Sequence, residues 1–308
     1  MFIKSPINYT WNKFRLLEQF SKYIPGKTGL FVDLFCWWAT VWFNVNADKI
    51  ILIDSNQKVI NLLKTLAEND IKKIISEVEK IIEDYGLSYS YKYTYKYYRE
   101  AWYVEWNNWV KKYNEKWFHC LRDDYNALKN KDTFKANMML YTLMVYWFNN
   151  DIRFNRYGAF NLPVWKTDFN KNNYNKLVAY NQRAKEINYE FICWDFRDKK
   201  IKEILYKADF VYCDPPYLIT DAVYNEQSWW TEEEETALLD LLKELDSMWK
   251  SFALSNVAQK KWAKNELLLS WIKKNKYKKH PIDYHYRSAS YNKINRDWNE
   301  EEVLVTNK

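Results

Sequence analysis

Short apolar runs alternate with amphipathic stretches at both ends of the chain, and this alternation predicts an α/β fold. The predicted strands are 29–36, 49–54, 189–196, 208–213, 250–256, 277–286 and 302–306. The short apolar run at 208–213 is typical of a buried strand. The predicted helices are 14–23, a short crossover at 39–46, 172–187, 267–274 and one that begins after Thr231.

A long middle segment interrupts this alternation. Residues 56–84 and 134–148 have a helical period, while residues 88–98 alternate tyrosine with polar or basic residues. The tyrosine run could stack on nucleic acid, but a half-buried helix or strand face is favoured, because one aromatic run is weak evidence. Two short alternating runs around Tyr157-Gly158 predict a β-hairpin. The middle of the chain is therefore predicted to be a helical insert that carries a hairpin.

The composition narrows the class of protein without defining a ligand. The chain has 308 residues and a formal net charge of +7, which permits a polyanionic partner but does not require one. The cysteines (Cys36, Cys120, Cys193 and Cys213) lie far apart and the three histidines form no cluster, so we predict neither a disulfide framework nor a metal site. No apolar run reaches membrane-spanning length and no signal-peptide pattern is present, so we expect a soluble cytoplasmic protein.

The strongest candidate for chemistry is the sequence Asp214-Pro215-Pro216-Tyr217, which follows the predicted strand 208–213. Neither proline has an N–H to donate, so the strand ends there and leaves a carboxylate and an aromatic ring on a stiff turn. In open α/β sheets, ligands bind at the carboxyl ends of the strands. A proline turn with a surface aspartate is the simpler alternative on these four residues alone.

Two other predicted strands also carry acids. Asp33 lies inside the first strand and Asp54 ends the second, as in nucleotide-binding βαβ units, where the second carboxylate accepts from ribose hydroxyls. The turn between them, Cys36-Trp37-Trp38-Ala39, has tryptophan where such units need glycine. At the start of the first helix, Lys13 either meets an anion or belongs to an ordinary capped helix.

Taken together, these stretches resemble the Dam-type, D12-class DNA adenine methyltransferases. The resemblance covers nearly the whole chain; it is weakest at 84–118 and strongest at 4–13, 31–46, 153–170, 193–196, 214–217 and 255–256. It implies a Rossmann-like class I methyltransferase sheet with helices on both faces, in a catalytic domain formed by 1–60 and 185–308. Residues 61–184 would form a helical target-recognition insert that carries the β-hairpin.

The resemblance also implies a set of site residues. The cofactor S-adenosylmethionine would contact Tyr9, Trp11, Lys13, Asp33, Phe35, Cys36, Trp37, Trp38, Asp54, Asp195, Phe196 and Asp214. Among these, Asp54 would accept from the ribose and Asp195 from the adenine amine of the cofactor. The catalytic residues would be Asp214, Pro215, Pro216 and Tyr217. Asp214 and the carbonyl of Pro215 would hold the exocyclic amine of a flipped adenine, and Tyr217 would stack on its ring.

Double-stranded DNA is the partner that the resemblance implies. The residues that would read it are Arg153, Asn155, Arg156, Asn161, Pro163 and Lys166. Arginine suits guanine edges and asparagine suits adenine edges in the major groove. The relatives best matched at this hairpin read GATC, so the resemblance implies a GATC-like site. We expect a monomer, with or without a cognate restriction endonuclease.

The chain departs from the family at its glycines. Tryptophan stands where the family has glycine at Trp11, Trp37, Trp38, Trp42, Trp165 and Trp194, and similarly at Trp229, Trp249, Trp262 and Trp298. The whole chain has 17 Trp and 4 Gly. We hypothesise that a glycine codon, such as a reassigned UGA, was translated as tryptophan. Because indoles would fill a turn that needs glycine, we expect the chain as written to bind S-adenosylmethionine poorly.

Two other functions stay open at the level of sequence. One is methyl transfer to another planar amine, in cytosine, RNA or protein glutamine, although the helical insert and the Arg/Asn hairpin favour duplex DNA. The other is a non-enzymatic DNA-binding protein built on a decayed methyltransferase scaffold. The tryptophans favour this second alternative, whereas the intact Asp54, Asp195, Asp214 and Tyr217 oppose it.

Overall fold

The computed structural model describes residues 2–7, 13–37, 39–101, 109–147, 154–155, 157–219, 230–282 and 300–308. Within these ranges an eight-stranded sheet forms the centre of the molecule. Its strands are β1 (Thr28–Leu34), β2 (Ala47–Asp54), β3 (Tyr189–Cys193), β4 (Phe210–Cys213), β5 (Ser251–Lys260), β6 (Ala263–Lys264), β7 (Lys278–Pro281) and β8 (Glu300–Thr306).

The sheet is mostly parallel, with an antiparallel edge. Its order is β3-β2-β1-β4-β5-β8-β7, and β6 pairs with β5. Strands β1 to β5 pair in parallel, whereas β8 runs antiparallel to both β5 and β7. The chain moves outward from β1 in one direction and from β4 in the other. The boundary between β1 and β4 is therefore a topological switch point, where α/β sheets form their ligand crevice.

Helices cover both faces of this sheet. They are α1 (Leu17–Ser21), α2 (Gln57–Glu68), α3 (Ile71–Asp84), α4 (Ser90–Ala101), α5 (Trp109–Ala127), α6 (Phe134–Tyr146), α7 (Lys171–Ala184), α8 (Lys199–Leu205), α9 (Glu232–Ser247) and α10 (Glu266–Asn275). Short polar side chains begin many of them; Asn56 and Asp70, for example, accept hydrogen bonds from the first backbone N–H groups of α2 and α3. The capping box predicted for Thr231 and Glu234 is confirmed at the start of α9.

Side chains of the buried strands pack into two separate hydrophobic cores, one on each face of the sheet. Along β2, Ile50 and Leu52 pack into the core shared with α2, α6 and α7, while Ile51 and Ile53 pack into the core shared with α8, α9 and α10. This division follows from the two-residue period of a strand, which sends successive side chains to opposite faces. The continuous apolar run is thus explained by burial on both sides, and the α/β fold predicted from the sequence is confirmed.

Several predicted elements differ in extent from those in the structure. The crossover helix expected at 39–46 is only a 3₁₀ turn, Trp42–Asn44. The tyrosine run lies in α4, whose helical backbone is broken at Thr94, with φ 63° and ψ 157°. Helices α5 and α8 were not foreseen. A membrane-spanning helix is absent from the described ranges, since none combines the length and hydropathy that a bilayer requires.

Candidate active site

The carboxyl ends of three neighbouring strands bring the predicted acids to one edge of the sheet. Leu34 of β1 pairs with Cys213 of β4, so Asp214 follows directly beside the end of β1. Asp54 ends β2 next to Cys193 of β3. This edge lies at the switch point, and its position depends on parallel pairing between segments that are far apart in the sequence.

Asp214 and Tyr217 are hydrogen-bonded to each other at this edge of the sheet, and we call this pair of residues the clamp. The Tyr217 hydroxyl donates to Asp214 Oδ1 at 2.8 Å, and Ser255 Oγ lies 3.4 Å from the same hydroxyl. Pro215 is buried between them and Pro216 is partly exposed. Because neither proline donates a backbone N–H, the turn cannot extend β4, and the two functional side chains stay at the strand end.

Lys13 lies against the clamp from the other end of the chain. Its ammonium group contacts the Tyr217 hydroxyl, lies 3.4 Å from Asp214 Oδ1 and is 5.0 Å from the centre of the Tyr217 ring. The Lys13 side chain is 3% exposed. Burial raises the pKa of Asp214, while the positive charge of Lys13 and the hydrogen bond from Tyr217 oppose that rise. The cation therefore helps to keep Asp214 ionised as a hydrogen-bond acceptor.

Glu302 completes this group and was not singled out from the sequence. Its Oε1 contacts the Lys13 ammonium, and its side chain is 4% exposed. Its other carboxylate oxygen, Oε2, is buried and accepts no hydrogen bond from a described residue. The only sequence signal was an acid directly before the apolar run Val303–Val305 in a predicted strand. That signal does not reveal which distant side chain would pair with it.

The two acids expected at the cofactor are both buried beside the clamp. Burial, followed by the nearby Asp214 carboxylate, raises the pKa of Asp33 well above its usual range. Asp33 Oδ1 is buried and accepts no hydrogen bond from the described residues. Burial also raises the pKa of Asp54 to about 6, although the backbone N–H groups of Asn56 and Trp37 donate to its carboxylate. Two buried carboxylates with raised pKa values thus lie at this edge of the sheet, which is typical of a functional site.

The turn after β1 keeps the backbone shape of a glycine-rich turn. Phe35 has φ 78° and Ala39 has φ 48°, a left-handed region that favours glycine. Cys36 is buried, and Trp37 is partly buried against the core next to α2. Trp42 is fully buried, and its indole N–H has no hydrogen-bond partner in the described part of the chain. The predicted cofactor residues Tyr9, Trp11 and Trp38 lie outside the described residues.

An aromatic cluster lies at the end of β3, where the cofactor adenine was expected. The Phe196 ring is 5.4 Å from Phe35 and 5.8 Å from Trp230, measured between centroids. Trp230 was missed from the sequence; its indole N–H donates to the buried Glu235 at 2.6 Å. Asp195 accepts a two-point contact from Arg197, at 2.9 Å and 2.8 Å, which lowers the pKa of Asp195. Its carboxylate is therefore already engaged.

The predicted hairpin forms a tight turn that other elements hold in place. Phe154 and Phe160 form an antiparallel bridge. Lys58 of α2 donates to the Gly158 carbonyl at 2.8 Å, and its ammonium lies 4.0 Å from the centre of the Phe154 ring. Asn126 of α5 donates to the Phe160 carbonyl and accepts from its N–H. The hairpin is thus tied to the helix that follows Asp54.

The residues expected to read DNA fall into three groups. Asn161, Pro163 and Lys166 are exposed. The side chain of Asn155 shapes the turn, because its Oδ1 accepts from the N–H groups of Tyr157 and Ala159, both at 3.0 Å. Arg153 and Arg156 lie outside the described residues. The side chains of the first group are exposed, whereas Asn155 is partly exposed and its Oδ1 is engaged within the turn.

Two other tryptophans, Trp249 and Trp262, lie in tight turns at the surface. Trp249 has φ 63° and is 84% exposed. It follows α9 in a Schellman arrangement, in which Lys250 N donates to Leu245 O and Trp249 N donates to Asp246 O. Trp262 lies in the two-residue turn between β5 and β6 and is 97% exposed. At both positions most of the tryptophan side chain is exposed to solvent, and the decoding hypothesis stays a prediction.

Comparison with known proteins identifies the family. A family model described as D12 class N6 adenine-specific DNA methyltransferase matches residues 9–293. The chain is 36% identical to the type II methyltransferase M.FokI of Planomicrobium okeanokoites and 30% identical to the modification methylase StsI of Streptococcus sanguinis. Each alignment covers 99% of this chain but 43% of the relative, so the chain spans less than half the length of either.

A more distant relative matches over most of its own length. The chain is 24% identical to the DNA adenine methylase of Haemophilus influenzae, over 78% of this chain and 74% of that relative. The family model also extends from before Lys13 to beyond β7. On these grounds, the chain belongs to the D12 class of N6 adenine-specific DNA methyltransferases.

Proposed function

We propose that this protein transfers a methyl group from S-adenosylmethionine to the N6 amine of an adenine flipped out of duplex DNA. The observation that carries the proposal is the clamp: Asp214 and Tyr217 lie at the topological switch point, beside the buried acids Asp33 and Asp54. We assign catalysis to residues 1–60 and 185–308 and target recognition to residues 61–184.

The residues of the clamp suit this chemistry. An adenine amine is a poor nucleophile because its lone pair is delocalised into the ring. Hydrogen bonds from the amine to the Asp214 carboxylate and the Pro215 carbonyl favour a pyramidal nitrogen whose lone pair is free to attack. In the transfer, the amine nitrogen would bond to the methyl carbon as the methyl–sulfur bond breaks, sulfur would keep that electron pair, and Asp214 would accept the proton that nitrogen loses. Positioning of this kind supplies most of the rate in such a reaction.

The donor set at the sheet edge fits S-adenosylmethionine. When bound, this cofactor supplies a methyl group already activated on a sulfonium centre. The buried Asp33 Oδ1, which accepts no hydrogen bond from the residues that the structure describes, suits a cationic part of the cofactor, and Asp54 suits the ribose hydroxyls. The aromatic cluster of Phe35, Phe196 and Trp230 offers apolar faces for its adenine. The residue that opposes binding is Trp37, where the family has glycine.

The target base must leave the duplex before it reaches the clamp. Unstacking and unpairing a base costs a few kcal/mol. Stacking on an aromatic side chain such as Tyr217 can return about 1–3 kcal/mol. The exposed Asn161, Pro163 and Lys166, together with Arg153 and Arg156, are the residues we propose for site recognition. A GATC-like site stays a prediction from the resemblance. The names of the relatives, which include modification methylase, support a cognate restriction endonuclease as partner.

Methyl transfer from labelled S-adenosylmethionine tests the proposal directly. Duplex DNA should accept the label at adenine N6, and sequencing of the methylated positions should reveal one short motif. Asp214→Asn should lower the rate about 100-fold or more with DNA affinity retained, because it removes the charged acceptor. Asp240→Asn, at an exposed position of α9, is the control and should act as the parent does.

Other outcomes would assign the chain differently. Label in cytosine, RNA or protein would show a methyltransferase for another planar amine. DNA binding without transfer, in the chain with glycine restored at Trp37 and Trp38, would show a non-enzymatic DNA-binding protein. Either result would refute the proposed function.

A further inference from the structure

Asp214 of the clamp belongs to a buried group of three charges, in which Glu302 has no part in the proposed reaction so far. The Lys13 ammonium contacts Glu302 Oε1 and lies 3.4 Å from Asp214 Oδ1. The side chains of Lys13, Glu302 and Asp214 are 3%, 4% and 13% exposed. With one cation and two carboxylates, the group has a net charge of −1 in a largely dry environment.

Burying the charge of a residue such as Glu302 lowers the stability of the fold, so a residue needed only for packing has no reason to be charged. A buried carboxylate loses its hydration, and an ion pair in the interior often contributes no net stability. The neighbours of Glu302 on β8, Val303 to Val305, are fully buried apolar residues, so this strand would accept an apolar side chain at its core-facing positions. A structural role therefore gives little reason for an acid here, whereas a role at the clamp does.

We propose that Glu302 is a positioning residue for methyl transfer, which fixes the Lys13 ammonium beneath Tyr217 and keeps it from pairing fully with Asp214. The inference rests on the proposed function of the clamp. It adds a residue from the last strand of the described chain, 289 positions away from Lys13 in the sequence.

The geometry explains how this arrangement would help the reaction. Asp214 Oδ1 already accepts from the Tyr217 hydroxyl, so the other carboxylate oxygen is the one left for the target amine. Glu302 is in closer contact with the Lys13 ammonium than Asp214 is. Without Glu302, Asp214 would be the carboxylate that stays beside the ammonium among the described residues. It would then move toward Asp214 and compete with the amine for that acceptor.

The backbone of Glu302 is paired on both sides, next to a β-bulge in β5 between Val257 and Gln259. Glu302 pairs with Val257 in the β5–β8 ladder, and the Glu302 carbonyl accepts from Ile282 N at 2.9 Å. Two positions along β5 from Val257 is Ser255, whose hydroxyl lies 3.4 Å from that of Tyr217. Strands β5 and β8 therefore hold Glu302 and the clamp in one fixed frame, as a preorganised site requires.

Glu302→Gln and Glu301→Gln form a matched pair for the test. The two substitutions are chemically identical, but Glu301 is 39% exposed and pairs with Lys279 at 2.7 Å. We expect Glu302→Gln to lower kcat about 10- to 100-fold with little change in KM for DNA, because a misplaced reacting group costs rate more than affinity. Glu301→Gln should match the parent, and Glu302→Asp should recover part of the loss.

The pH profile separates positioning from a merely structural role. Asp214 faces Lys13, Tyr217, Glu302, Asp33 and Tyr212. The negative charge of Glu302 contributes to the raised pKa of Asp214, so removing it should lower that pKa. The acidic limb of the kcat profile should then move to lower pH in Glu302→Gln. A uniform loss at every pH, accompanied by a lower melting temperature, would show a structural role and overturn the proposal.

A measurement on Lys13 itself tests the proposal without any turnover. In the crystal structure of Glu302→Gln, the Lys13 ammonium should lie closer to Asp214 Oδ1 than the present 3.4 Å, whereas Glu301→Gln should keep that distance. A Lys13 ammonium that keeps its position in Glu302→Gln would refute positioning by Glu302. A chain with glycine restored at Trp37 and Trp38 that methylates no DNA would instead refute the proposed function, and the two failures are thereby distinguished.

Discussion

Asp54→Asn should make this protein more stable at neutral pH, because the acid is held ionised in a buried place. Asp54 is 6% exposed at the end of β2, and burial raises its pKa from the usual 3.8 to about 6. Backbone N–H groups of Asn56 and Trp37 donate to the carboxylate but do not offset its lost hydration. A ligand-binding acid that costs stability in this way is common at functional sites.

The size of the effect follows from proton linkage. A rise of about two units in the pKa of Asp54 lowers the free energy of unfolding by about 3 kcal/mol, since one pKa unit corresponds to about 1.36 kcal/mol. Between pH 3.8 and about 6 the native state keeps a proton on Asp54 that the unfolded chain has lost. Stability therefore falls as pH rises through this window, and the full cost is present above it. Asparagine carries no such charge, so the gain should approach about 3 kcal/mol near pH 7.5 and vanish below the window.

Urea unfolding at several pH values measures this difference. The control is Asp48→Asn on the same strand, because the Asp48 side chain is 68% exposed and its contact with Lys27 is 3.4 Å long. That control should change the free energy of unfolding by no more than about 0.5 kcal/mol. An Asp54→Asn protein no more stable than the control at pH 7.5, or one with a gain independent of pH, would show that the burial cost of Asp54 is not as described.

Three further predictions address the tryptophans and the hairpin. Trp249→Gly should stabilise the fold by about 1 kcal/mol in thermal unfolding, because glycine adopts a positive φ without strain; Trp249→Ala keeps a Cβ, and an equal gain would contradict this reason. Lys58→Met should speed hydrogen exchange at 157–160 by removing the bond to Gly158, whereas Lys64→Met, exposed on the same helix, should not. The codon for Trp37 should be UGA, and a UGG codon would rule out the decoding hypothesis. Isothermal titration should show weak binding of S-adenosylmethionine to the chain with Trp37, and ordinary micromolar binding would contradict that expectation.

Local patterns were sufficient for most of the fold. Continuous apolar runs marked the parallel strands because both faces of β2 and β4 are covered by helices. The capping box at Thr231 marked the start of α9 because its hydrogen bonds join residues three apart. In contrast, α5 was not foreseen, since its aromatic and charged residues show no clear apolar stripe in the sequence. At 42–44 the structure has a 3₁₀ turn in place of the predicted helix, and the indole of Trp42 is packed into the core there.

The sequence by itself determined the α/β class, the clamp at Asp214 and Tyr217, and the acids at the strand ends, because each depends on neighbours within a few residues. Only the tertiary structure decided that Lys13 and Glu302 meet at the clamp, and that Asp195 is engaged by Arg197 while Asn155 shapes a turn. Such partners are set by strand order and packing, and the contact between Lys13 and Glu302 joins residues 289 positions apart. Periodicity records which face of an element is buried, but it holds no record of which distant side chain lies across from it.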